Sequence, residues 1–163
     1  MYKIRVILDT KEDVIRTILV DDSINLEDLH KSICEAFGFD GQEMASFYRT
    51  DDEWNQGEEI PLFNMAEEGE AISMKNCFLK ETLPLENDKL IYVYDFLNMW
   101  TFYVDVVEIS DEQKEDLPMV ILNVGEVPKQ APEKEFVAEN FEEEEDDFKD
   151  EFDPFDDFDF NEY

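Results

Sequence analysis

The chain has 163 residues, 45 of them acidic and 13 basic, and a net charge of −32; 43% of its residues are hydrophobic and 13% aromatic. That is enough apolar material for one folded domain with some length to spare. The charge repels nucleic-acid phosphates and anionic lipid, so direct nucleic-acid binding and membrane-surface binding are excluded as leading readings, and basic proteins are favoured as partners.

Tyr2 to Leu8 alternates, with Tyr2, Ile4, Val6 and Leu8 on one face, and reads as a strand. Asp9 to Asp13 is polar and turn-like, and Val14 to Val20 is a second strand, so the chain opens with a hairpin. Ser23 to Phe37 is the best helix: Leu26, Leu29, Ile33 and Phe37 recur at helical spacing. Asn25 is placed to cap its start, Glu27 and Asp28 suit the positive end of the helix dipole, and Gly38 stands where a left-handed C-terminal cap belongs.

Met44 to Arg49 reads as a third strand. Asp51 to Glu70, with Gly57, Pro61 and Gly69, reads as a long acidic loop with at most a short strand at Ile60–Phe63. Ile72 to Leu85 fits a short helix ended by Pro84. The most aromatic stretch follows. Tyr92, Tyr94 and Phe96 alternate with Val93 and Asp95, and Trp100, Phe102 and Val104 alternate with Thr101, Tyr103 and Asp105. This pattern predicts two central strands joined by a turn at Phe96–Met99. Pro118 to Val124 reads as a last strand or extended segment packed on the core.

The expected architecture is α+β: a β-hairpin–helix–strand start resembling a β-grasp, a mixed or antiparallel sheet around the aromatic hairpin, and an acidic C-terminal tail. The expected boundaries are a domain over 1–126, a linker over 127–134 and a tail over 135–163. From Glu135 on there are 15 acidic residues and one base, Lys149, a net −14, so self-repulsion predicts disorder. The chain starts directly on an alternating segment with no apolar leader, and no apolar run approaches the ~20 residues of a membrane span, which gives a cytoplasmic expectation.

Little in the chain resembles a catalytic motif. His30 is the only histidine; next to Leu29, and off the Leu26–Leu29–Ile33 stripe, it reads as a solvated or partly buried structural residue. Cys34 and Cys77 form no C-x-x-C pair and read as buried reduced thiols. Neither a metal site nor a cofactor is expected. Asp153 to Asp159 offers carboxylates but lacks the glycine a calcium loop needs. Asp95 and Asp105 could in principle share a proton as an acid–base pair, but Asp95 is better placed to accept backbone hydrogen bonds in the following turn.

Leu29-His30, Phe37-Gly38-Phe39-Asp40, and Tyr92-x-Tyr94-Asp95-Phe96 with Trp100 and Glu108 together resemble the plasmid pRiA4b ORF-3-like family over Tyr2 to Val124. The resemblance implies an α+β fold and no defined chemistry. Relatives continue from YxYDF into Gly-Asp and then a Trp with a His two residues later, where this chain has Leu97, Asn98, Trp100 and Phe102. Relatives also tend to carry histidines after the helix, where Met44, Ala45 and Ser46 stand, and their Pro-Pro-Glu-Asp pattern is reduced to Ala131-Pro132-Glu133-Lys134. Any metal or acid–base work done by that cluster in relatives would be lost here. Tyr94, Asp95, Asn98 and Trp100 are left as a vestigial site.

The sharpest functional signal is the tail. Phe141, Phe148, Phe152 and Phe155 are spaced by seven, four and three, and Phe158 and Phe160 follow among carboxylates. Such residues can enter partner pockets as an induced helix or an extended strand while the acids meet lysines and arginines. A merely solubilising tail has no use for so many phenylalanines. The sequence therefore points to a non-enzymatic interaction module that engages a basic protein, in transcription or recombination machinery, through this tail. A degenerate enzyme or ligand binder at the aromatic hairpin, and a nucleic-acid mimic, are the alternatives.

Overall fold

In the computed structural model, residues 1–63 and 72–131 are described. Seven strands form one sheet: β1 (Tyr2–Leu8), β2 (Ile15–Val20), β3 (Ala45–Thr50), β4 (Gln56–Pro61), β5 (Lys89–Tyr94), β6 (Trp100–Ile109) and β7 (Met119–Val124). The spatial order is β4-β3-β5-β6-β1-β2-β7, and every pairing is antiparallel. With helix α1 (Leu26–Phe37) and the single turn α2 (Leu79–Thr82), the fold is α+β.

β5 and β6 lie in the interior of the sheet, as their aromatic alternation predicts. Their register pairs Tyr92 with Phe102 and Tyr94 with Trp100, so the large rings share one face. Ile4, Val6 and Leu8 of β1 and Leu26, Leu29, Ile33 and Phe37 of α1 join the same buried cluster. The helix starts as its sequence dictates: the Asn25 side chain accepts the Asp28 N–H, and Gly38 closes the other end at φ 82°.

Three expectations need correction. The stretch read as an acidic loop contains β4, a full strand from Gln56 to Pro61; Gly57, Glu58 and Glu59 are exposed, so no apolar alternation marks it. The Ile72–Leu85 segment is not one helix but a 3-10 turn over Met74–Asn76 followed by α2. β7 does form, but at the edge of the sheet beside β2 and largely exposed rather than packed on the core.

The compact unit spans Met1–Ala131, and Val127 and Ala131, in the stretch read as a linker, pack against the core. Arg16 helps to hold this end. Its guanidinium donates to the carbonyls of Ala36 at the end of α1, Ile15, Val124 and Gly125, at 2.8–3.3 Å, and lies 5.2 Å from the centre of the Phe37 ring. Among the described residues no helix is long and apolar enough to cross a membrane. The tail phenylalanines Phe141, Phe148, Phe152, Phe155, Phe158 and Phe160, and the Asp153–Asp159 acids, lie outside the described residues.

Candidate functional site

The β5–β6 turn and the segment after α1 enclose an open cleft of about 530 Å³ lined by Phe39, Asp40, Glu43, Tyr94, Asp95 and Trp100. The segment Val127–Lys129 forms its other wall. Gly38 ends the helix in a left-handed conformation, and the turn carries Phe39 back over the sheet. There Phe39 stacks on Tyr94, with ring centres 4.8 Å apart and planes 8° apart, and meets Trp100 at 5.0 Å. The Tyr94 hydroxyl donates to Asp40 Oδ1 at 3.0 Å and accepts the Gly41 N–H at 3.1 Å. Burial, with the Asp40 hydrogen bond behind it, pushes the Tyr94 phenol up to about 12, so it stays protonated at neutral pH.

Three of the four residues that the sequence reading sets aside as a vestigial site, Tyr94, Asp95 and Trp100, line this cleft. Asn98 belongs to the turn, where its side-chain amide donates to Asp95 Oδ2 at 2.7 Å. Asp95 adopts φ 65° and also accepts the Leu97 N–H at 3.2 Å, the turn-capping role expected of it. Asp105 sits elsewhere, on the central strand β6, gripped through both oxygens by Arg5 at 2.7 and 3.1 Å. The two aspartates therefore form no acid–base pair.

Beneath the cleft the structure assembles a cluster the sequence does not announce. His30 is 3% exposed, not solvated. Its Nδ1 lies 2.6 Å from the Tyr92 hydroxyl, which is 3.4 Å from Cys34 Sγ; Cys34 Sγ and His30 Nδ1 are 3.8 Å apart. Position 30 lies one turn after Leu26 and one turn before Cys34, so its burial was available from spacing but masked by its polarity. Burial, aided by Lys31, lowers the imidazole to about 4, and burial raises the Cys34 thiol and carries the Tyr92 phenol well above its usual range. The three groups are neutral at pH 7 and satisfy one another. Cys77 is a free thiol too, but half-buried. Among the described residues no group of three or more His, Cys, Asp or Glu is placed to hold a metal ion.

The turn that follows Asp95 is apolar and exposed: Leu97 is 94% exposed, Phe96 and Met99 are exposed with it, and so is Met44. Met44 is tied to the turn by its carbonyl, which accepts the Asp95 N–H at 2.7 Å.

Residues 1–162 match the sequence profile of the family described as plasmid pRiA4b ORF-3-like protein. A solved structure similar to this chain is the crystal structure of a protein of unknown function, MM3350 from Methanosarcina mazei Go1. It is 20% identical, with a TM-score of 0.64 over 91% of this chain and 84% of that one. At that identity the likeness speaks for the fold. No curated protein matches the chain.

Proposed function

The chain belongs to the plasmid pRiA4b ORF-3-like family, and from that premise we propose that it is a non-enzymatic, cytoplasmic interaction module that engages a basic protein of nucleic-acid metabolism. The observation that carries this reading is the exposed apolar turn Phe96–Leu97–Met99, with Met44, standing beside the carboxylates of Asp40, Glu43 and Asp95. Exposed apolar groups rimmed by acids fit a partner that offers both a hydrophobic anchor and lysines or arginines. The groups with the best catalytic potential support it from the other side. His30, Cys34 and Tyr92 are buried and bonded to one another, and none is poised at the cleft as a base or nucleophile.

In this reading the acidic aromatic tail supplies a second contact, joining the folded domain to the same partner. The volume of the cleft, about 530 Å³, favours one other reading, a small-ligand binder at Tyr94 and Trp100.

Capture from cell extract separates the two. The full chain, a chain ending at Ala131, and a Leu97→Ser/Met99→Ser variant are compared, with retained proteins identified and eluted by salt. The full chain should retain a basic protein that elutes as salt rises, and each altered chain should retain less of it. Retention of no basic protein, or equal retention by all three, would defeat the proposal.

A further inference from the structure

β4 and β7 close the two edges of the sheet, and they are built differently. β4 carries Glu58, Glu59 and Pro61. Charges and proline are the usual devices that keep an edge strand from pairing with another chain. β7 reads Met-Val-Ile-Leu-Asn-Val and has none of them, in a chain whose net charge is −32. Met119, Val120, Ile121 and Leu122 are 36–46% exposed. One side of β7 pairs with β2, with a register shift that skips Ile121; its other side forms the edge of the sheet.

We infer that β7 is the interface of a symmetric dimer, in which a second copy of this chain adds its own β7 antiparallel to the first and joins the two sheets. Charge selects this occupant. A basic partner is drawn to carboxylates, such as those of Asp40, Glu43 and Asp95 at the cleft, not to a neutral strand. Two copies of so acidic a chain can approach closely only where neither presents charge, and β7 meets that condition. The strand is also self-complementary. A two-fold axis between Ile121 and Leu122 would set Ile121 opposite Leu122, Val120 opposite Asn123 and Met119 opposite Val124, so no charged side chain enters the pairing. Closed two-fold association is the commonest symmetry of soluble oligomers.

Asp116 and Glu126 flank the strand in each copy, so like charges gather at the margin of the interface. Added salt should therefore strengthen the dimer. This is opposite to its effect on a basic partner, so the two interactions can succeed or fail independently.

The test is the mass of the full-length chain by light scattering from about 1 μM to about 1 mM, at low and high salt. A monomer–dimer equilibrium shifted toward dimer by salt is expected, with Ile121→Glu monomeric and Glu58→Gln on β4 unchanged. Ile121 is exposed in the monomer, so the variant should keep the native melting temperature. Should it fold poorly, hydrogen exchange of the unaltered chain decides: β7 amides should gain protection as concentration rises, while β4 amides should not. A chain that is monomeric throughout the range at both salt levels, a dimer indifferent to Ile121→Glu, or β7 exchange independent of concentration would each overturn the inference.

Discussion

His30 Nδ1 and the Tyr92 hydroxyl meet at 2.6 Å, joining α1 to the middle of the sheet through a buried polar contact. Since burial lowers the imidazole to about 4, while an unfolded histidine titrates near 6.5, the unfolded chain binds the extra proton first. Stability attributable to His30 is full above about pH 6.5 and is lost as pH falls toward 4. The fall between pH 7 and pH 5 should cost about 1–2 kcal/mol more in the native chain than in His30→Gln, which keeps a hydrogen bond to Tyr92 but cannot titrate. Urea melts at the two pH values measure this. Equal losses in the two proteins would mean that the imidazole is protonated or solvated in the folded state.

Trp100 is 7% exposed and packs on Phe39 at 5.0 Å. Trp100→Ala should lower stability by about 3–5 kcal/mol, the range for truncating a buried large aromatic side chain. A loss below about 1 kcal/mol in denaturant melts would mean that the ring is held by little and is available to a ligand instead.

Arg16 is buried, and its pKa is lowered by that burial, yet its partners are backbone carbonyls. Beside it, Gly125 stands at φ 77°, where an added Cβ would overlap the carbonyl oxygen of Asp13. Arg16→Met should cost about 1–3 kcal/mol because it takes the charged donor away from several part-buried carbonyls. Gly125→Ala should cost about 2–3 kcal/mol through backbone strain. Thermal melts check both, and near-native stability in either variant would show that the end of β7 adjusts without loss.

The parts of the fold legible in the sequence are those where one residue pattern serves one role. β1, α1 with Asn25 and Gly38, and the β5–β6 pair satisfy local periodicity and burial together. β4 escaped because Gln56 to Glu59 are exposed and only Ile60 reaches the core, so no apolar alternation marks the strand; its ladder to β3 defines it. His30 and Arg16 escaped for the converse reason. Each is a polar residue on a buried face, and its partners, Tyr92 in one case and the carbonyls of Ala36 and Val124 in the other, are distant in sequence. Of the candidate site, Tyr94, Asp95 and Trp100 were legible because they flank one turn. Asp40 and Phe39 completed it only through the stacking of Phe39 on Tyr94, which depends on the path of the chain after Gly38.

The tail offers the sharpest division between charge and contact. Fifteen acids and one lysine from Glu135 to Tyr163 give it a long-range attraction for any basic surface, and the phenylalanines among them give it something to bury. Replacing Phe152, Phe155 and Phe158 by alanine leaves every charge in place. If the rings anchor the partner, affinity for the basic protein captured by the full chain should fall about tenfold or more, and salt should weaken both proteins. If the tail acts as a polyanion alone, salt should still weaken binding but the triple variant should match the native chain. Titration of the two proteins against that partner at low and at physiological salt reads both effects at once, and unchanged affinity in the triple variant would remove the rings from recognition.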